Sequence, residues 1–290
     1  MQNLHLPQHQ HHPRHWRESL YVYPVISRRS GGLSIGVNLN PDKACNFDCV
    51  YCQVDRTVAP RVRTVDVARV GQELSSMVAL ARSGELFQDA SFADLPTDMR
   101  HIRDIAFSGD GEPTTCKEFL ECVELVADLK RAAGLNDVKI VLITDACYLT
   151  RPQVAAGLAL LDANHGEIWA KLDAGTEEYY RLVNRPNYPL SHVIENIIDA
   201  ARRRPVVIQS LFMRLKGAGP GESELIAYTE RLIEIAAAGG VIKYVQVYTV
   251  ARRPAESYVT ALSDGEVDHI VDLVRSRTGL PAEPYYGRSD

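Results

Sequence analysis

Six times along this chain a short run rich in β-branched and aromatic residues gives way to a longer segment of helical periodicity, and this alternation restricts the fold more than any other feature. Strands are expected over residues 33–39, 102–107, 138–143, 168–172, 206–211 and 244–250, most of them bounded by Gly, Asp or Asn. Between them, Val67, Val70, Leu74, Met77 and Ala81 recur at helical spacing, as do Phe119, Cys122, Val126 and Leu129. Further helices are expected over 152–161, 192–203, 222–238 and 267–275, with start signals in Thr150 ahead of Pro152 and in a Ser263/Glu266 capping box. Repeated β-then-α units imply a parallel sheet with right-handed crossovers. The expected class is α/β, a partial (βα)6 barrel with parallel strands and outer helices, and an open doubly wound sheet is the main alternative. In either architecture ligands sit at the carboxyl ends of the strands, so the loops after each strand hold the site candidates.

With 290 residues, 46% of them hydrophobic, the chain can bury one large core. Residues 1–30 read as a polar arm and lead-in, with five of the nine histidines in the first 17 positions, and residues 31–290 as the barrel domain with a C-terminal extension. A net charge of −5 provides no global basic field toward nucleic acid or an anionic membrane. There is no apolar run of membrane-spanning length, and the polar start does not read as a secretory signal, so a cytoplasmic protein with no membrane partner is expected.

Of the six cysteines, Cys45, Cys49 and Cys52 fall within eight residues, directly after the first expected strand. A disulfide framework fits such a chain poorly, whereas clustered thiols in a reducing compartment bind metal. Thiolates suit zinc or iron–sulfur clusters. Structural zinc sites take four protein ligands, usually as two C-x2-C pairs, and no second C-x-x-C exists here. Three thiolates on a cubane cluster leave one iron for an exogenous ligand. A closed site, with a fourth ligand from Cys116, Cys122, Cys147 or a histidine, and three unliganded thiols are the other possibilities.

The C-x3-C-x2-C spacing after the first strand, with aromatic Tyr51 before the third cysteine, resembles the signature of the radical S-adenosylmethionine (radical SAM) superfamily. The resemblance implies that Cys45, Cys49 and Cys52 hold a [4Fe-4S] cluster and that S-adenosyl-L-methionine (SAM) is the second cofactor. It further implies reductive cleavage to a 5′-deoxyadenosyl radical that abstracts hydrogen from a substrate. The expected partner is a flavodoxin- or ferredoxin-like reducing donor. Residues 34–40, 110–114 and 248–252 look most like the branch of wyosine-forming tRNA enzymes and their uncharacterised bacterial relatives. Some members build an additional cluster from upstream cysteines, and this chain has no cysteine before Cys45. The substrate stays open among a small molecule, a peptide and RNA.

Later loops add candidates for cofactor binding. Gly109, Asp110, Gly111 and Glu112 follow the second expected strand and resemble the superfamily's glycine–glycine–glutamate stretch, with Asp110 where the simplest form has glycine. Thr144 and Asp145 follow the third strand, where related enzymes carry a polar pair near the ribose. Lys171 and Asp173, two apart, share a face and either pair with each other or bind ribose hydroxyls and carboxylate. Gln209 and Ser210 are weaker candidates; Tyr248 and Arg252 stand at a strand end as substrate contacts or as a core tyrosine and a solvated arginine. Cys122 reads as a core thiol. No catalytic side chain is assigned. The alternative function is a non-enzymatic iron–sulfur electron-transfer or partner-docking module, which has no use for residues 109–112; a zinc-stabilised α/β domain is a third reading.

Overall fold

The computed structural model describes Leu6, Gln8 and residues 16–287. Most of the histidine-rich arm lies outside the described residues. The elements are β1 (Val22–Ser27), β2 (Gly32–Val37), α1 (Val67–Ser83), β3 (Ile102–Phe107), α2 (Phe119–Ala132), β4 (Lys139–Thr144), α3 (Pro152–Ala163), β5 (Gly166–Lys171), α4 (Glu177–Asn184), α5 (Leu190–Arg203), β6 (Val206–Leu211), β7 (Arg214–Leu215), α6 (Glu222–Ala237), β8 (Ile242–Tyr248), β9 (Val259–Thr260), α7 (Asp264–Thr278) and β10 (Ala282–Tyr285).

One eight-stranded sheet runs β1-β2-β3-β4-β5-β6-β8-β10, parallel throughout except for β1 against β2. It curls into a partial barrel with helices outside. The six expected β–α units are all present, from β2–α1 to β8–α7. Two edge strands lie beyond them. Segment 18–32, read as a lead-in, supplies β1, and the C-terminal stretch supplies β10. Each carries a proline, Pro24 and Pro284. A sheet edge tolerates proline because one side of the strand has no ladder partner.

The inner strands are buried on both faces, and β2 and β6 are buried at every position. Ile35, Ile105, Phe107, Ile140, Leu142, Ile168 and Ile208 pack outward under the helices with Leu74, Val126, Leu158, Ile197 and Leu232. Helix α7 opens with the expected reciprocal Ser263/Glu266 box. At α3 the expected Thr150 cap is replaced by Arg151, without a side-chain cap, ahead of Pro152.

The inward face is layered. At the amino ends of the strands, Glu167 binds Lys139 at 3.3 Å and Lys243 at 2.6 Å and accepts from Trp169 Nε1 at 2.9 Å. Above this floor Ala106, Val141, Trp169 and Val207 fill the lumen. The lumen opens only beyond them, toward the carboxyl ends. Among the described residues no helix is long and apolar enough to cross a membrane.

Burial works to raise the Glu167 carboxyl, but Lys243, Trp169 and Lys139 outweigh it and hold its pKa below the usual glutamate value. Such a carboxyl contributes stability that is complete above its unfolded pKa, about 4.3, and is lost as pH falls through the folded value. Lys139 and Lys243 are 38% and 50% exposed and stay hydrated, which limits the contribution. Glu167→Gln should therefore lower the unfolding free energy at pH 7 by about 1–2 kcal/mol, and the gap should close below about pH 4. Urea denaturation at both pH values measures this; equal stability at pH 7 would contradict an ionic floor.

Candidate active site

The loop leaving β2 is held by asparagines before it reaches the cysteines. Asn38 Oδ1 accepts from the amides of Asn40 and Asp110 at 3.0 and 3.2 Å, and its Nδ2 donates to Asp110 Oδ2 at 2.8 Å. Asn40 Nδ2 donates to Thr115 Oγ1 at 3.0 Å. These bonds lash the loop after β2 to the loop after β3, and glycine lets the two meet. A Cβ at Gly109 would collide with the Asn38 amide, and one at Gly111 with the Ala44 carbonyl oxygen. Lys43 takes a left-handed φ of 62° and donates to the carbonyls of Asp55 and Val58 at 2.7 and 2.8 Å.

Past this anchor, Cys45, Cys49 and Cys52 all line one cavity of about 290 Å³ at the carboxyl ends of the strands. The loop between them pairs with the end of α4: Asp48 and Val50 donate their amides to the Asn184 and Val183 carbonyls at 3.2 and 2.9 Å. Two sulfurs receive hydrogen bonds, Cys52 from Arg56 Nη1 at 3.2 Å and Cys49 from Asn184 Nδ2 at 3.5 Å. Burial pushes the Cys45 thiol up to about 12 and the Cys49 thiol up to about 11. Cys45 and Cys49 are therefore neutral as free thiols, and a metal binding to them displaces protons.

Tyr51 and Asp173 form the base of the loop. The Tyr51 hydroxyl donates to Asp173 Oδ2, which also accepts from Asn184 Nδ2 at 2.8 Å. Asp173 Oδ1 accepts from the Leu211 amide at 2.9 Å and Lys171 Nζ at 3.4 Å. Lys171 also donates to the Tyr248 hydroxyl at 3.0 Å. Burial would lower the Lys171 pKa, but the Asp173 charge outweighs it and keeps the ammonium charged. So Lys171 and Asp173 pair with each other, one of the two outcomes their spacing allows.

Glu112 lies under the cavity. Its Oε1 accepts from the Thr114 amide and hydroxyl at 3.0 and 2.5 Å and from Thr144 Oγ1 at 2.8 Å, and its Oε2 from the Asp145 amide at 2.7 Å. Glu112 and Thr144 thus brace the loops after β3 and β4 against each other. Burial raises the Glu112 pKa; burial, followed by the Glu112 charge, raises that of Asp145 well above the usual range. Asp145 Oδ1 accepts from the Cys147 amide at 2.9 Å, while Oδ2 has no partner at bonding distance. The next residue, Ala146, is held at a φ of 66°, an uncommon conformation for a non-glycine residue and a second sign of a constrained site.

All twelve residues expected at a site come together here. Cys45, Cys49, Cys52, Tyr51, Gly109, Asp110, Gly111, Glu112, Thr144, Asp145 and Lys171 line the cavity, and Asp173 sits behind Tyr51. Gln209, Tyr248 and Arg252 line it too, whereas the Ser210 hydroxyl shares a hydrogen bond with Tyr228 at 2.6 Å on the helix side. Cys116, Cys122 and Cys147 are buried and do not line the cavity. The sequence reading missed Asn38, Asn40 and Asn184, whose roles depend on partners 133 or 135 positions away for Asn184 and 72 or 75 for Asn38 and Asn40. It also missed Arg28, Arg29, Ser34, Asp104 and Trp169 on the far wall.

A tetrahedral zinc site draws its ligands to within about 2.3 Å of one point. Among the described residues no three His, Cys, Asp or Glu side chains are grouped to hold a single metal ion. The three thiols on one loop line one cavity, and among the described residues its lining contains no further cysteine and no histidine.

Comparison with known proteins agrees with this geometry. Residues 39–216 match the family model of the Radical SAM superfamily. The chain is 25% identical over 252 residues to a GTPase Obg of Brachyspira hyodysenteriae, covering 84% of this chain and 32% of that protein. It is 30% identical over 176 residues to a UPF0026 protein of Methanocaldococcus jannaschii, covering 61% of this chain and 46% of that protein. The chain thus spans less than half the length of either relative. The crystal structure of archaeal TYW1 superposes with a TM-score of 0.45 at 8% identity, covering 87% of this chain and 74% of that one. The family match begins just ahead of the three thiols and runs through the glycine loop and the ends of β4, β5 and β6, and this chain belongs to the radical SAM superfamily.

Proposed function

We propose that this chain binds a [4Fe-4S] cluster through Cys45, Cys49 and Cys52 and uses it to cleave SAM reductively, generating a radical that takes a hydrogen atom from a substrate. One observation carries the reading: three thiols and the glycine-built loop after β3 line the same cavity, and among the described residues no fourth cysteine or histidine lines it. When bound, the cluster and SAM together supply the one-electron chemistry that produces the 5′-deoxyadenosyl radical.

The chain's own residues position and shield. Arg56 and Asn184 donate to two of the sulfurs and stabilise them as thiolates. The Gly111 backbone and the Asp145 carboxyl line the cavity toward a cofactor ammonium or ribose, while Glu112 fixes both loops from beneath. Trp169, Ile143 and Leu211 supply apolar walls that keep water from a reactive carbon centre. A flavodoxin- or ferredoxin-like protein in the cytoplasm is the expected reductant.

Anaerobically reconstituted protein should hold about four irons per chain and release 5′-deoxyadenosine only with SAM and a strong reductant. Cys45→Ala, Cys49→Ala and Cys52→Ala should each lose most of the iron and all of the cleavage. A variant that keeps wild-type iron and sulfide content would overturn the ligand assignment.

The loop's seat is testable without iron. Asp173→Ala leaves the Tyr51 hydroxyl, the Asn184 amide, the Leu211 amide and Lys171 without their acceptor, and should cost about 3–5 kcal/mol. Tyr51→Phe removes one hydroxyl and should cost about 1 kcal/mol. Chemical denaturation of the metal-free chain measures both, and equal losses would show that Asp173 is not the hub.

A further inference from the structure

The cavity has a wall that the cysteine and glycine loops do not explain. Between β1 and β2 the chain turns through Arg28 and Arg29, and both guanidinium groups line the same cavity as the sulfurs. Arg28 donates to the carbonyl of Tyr286, just past β10. The β1–β2 turn therefore reaches across to the opposite edge strand, at the side where the half-barrel is open. Arg29 Cζ lies 5.4 Å from the centre of the Trp169 ring and 5.1 Å from that of Tyr248.

Two adjacent cations at a half-buried wall repel each other and lose hydration. Burial, and next the neighbouring Arg29, pull the Arg28 pKa down to about 10. Lys171, by contrast, has Asp173 within 3.4 Å. Among the described residues neither Arg28 nor Arg29 forms an ion pair, and the Arg29 guanidinium meets two aromatic rings but no hydrogen-bond acceptor. The carboxylate that senses Arg29 most directly, Asp104, is buried, bonded to Ser34 and not within salt-bridge reach. Asp110 is held by Asn38 and Glu112 by Thr114, Thr144 and Asp145. Guanidinium groups left in this state, beside flat aromatic walls, are a receptor for a carboxylate or a phosphate.

We propose that Arg29, supported by Arg28, binds the anionic group of a small substrate, a carboxylate or a phosphate monoester, and holds that molecule between Trp169 and Tyr248 beneath the cysteine loop. Arg28 and Arg29 line the same cavity of about 290 Å³ as the cysteine and glycine loops, so an anion held there lies in the same space as the thiols. Calling that molecule the substrate rests on the radical-enzyme reading; the anion site itself does not.

The chain has two tryptophans, and Trp16 packs on Phe92 outside this cavity, so in Trp16→Phe protein the fluorescence reports Trp169. Full-length Trp16→Phe protein would be titrated with inorganic phosphate and, separately, with succinate at constant ionic strength, with glycerol as the neutral control. At least one anion should produce a saturable change in emission, and which one does so tells phosphate from carboxylate. Arg29→Gln in this background should weaken binding about tenfold or more, Arg29→Lys should restore part of it, and Arg28→Gln should weaken it less. Reconstituted Arg29→Gln protein should still bind SAM in equilibrium dialysis. A linear response to both anions, or equal affinity with and without Arg29, would overturn the proposal. Parallel loss of SAM binding would do so too, by assigning Arg29 to the cofactor. Wild-type protein that takes up no iron would sink the enzyme reading alone, leaving the anion titration to be judged separately.

Discussion

The carboxylate of Asp173 is where the barrel and its chemistry are joined. It stands two residues beyond the end of β5 and is 2% exposed, so its oxygens need hydrogen-bond donors from the protein. Those donors come from four separate pieces of chain: Tyr51 from the cysteine loop, Lys171 from β5, Asn184 from the end of α4 and the Leu211 amide from the end of β6. Of the four donors only Lys171 is a near neighbour of Asp173 in sequence. The fold has to be complete before the carboxylate is satisfied, and once satisfied it fixes the height of the cysteine loop above the strand ends. Asn184 carries the constraint one step further, since the amide that serves Asp173 also reaches Cys49.

Much of the architecture was legible because the inner strands are buried on both faces. A strand such as β6, buried throughout, must be apolar or internally hydrogen-bonded at every position, and it stands out between amphipathic helices. The edges do not announce themselves in this way. Tyr21-Val22-Tyr23-Pro24-Val25-Ile26 has strand composition, but it lies within a segment that reads as a polar, glycine-ended lead-in. It becomes a strand because β2 offers an unpaired edge, a fact about the folded neighbour and not about the segment. The same holds for the four residues of β10 against β8. Helix α4, eight residues long, is short for the periodicity test and was likewise passed over.

The site was legible where chemistry is written locally. Three thiols within eight residues and a glycine–acid stretch at a strand end can be found by spacing alone. What spacing does not distinguish is a residue that touches a ligand from one that holds the residue that does. Glu112 and Asp173 were singled out as possible ligand contacts, and both have their oxygens occupied by protein donors. Asn38 and Asn184 carry no motif at all, because their partners lie on other strands and helices. The glycines have a different meaning in the structure than in the sequence: Gly109 and Gly111 are needed first because the cysteine loop lies against them.

Charge is the property on which sequence and structure speak about different length scales. A net charge of −5 describes the distant field of the molecule, which salt screens within about 8 Å, and on that scale nothing draws the chain to an anion. Inside the lumen the balance is local. The floor is an acid shared by two lysines, and the apolar band above it insulates the cavity from that floor. Beyond the band, Asp104, Asp110 and Glu112 are held by protein donors while guanidinium groups remain along one wall. In a low-dielectric pocket these few fixed charges decide what is bound, and the surplus of acid on the outer surface contributes little to that choice.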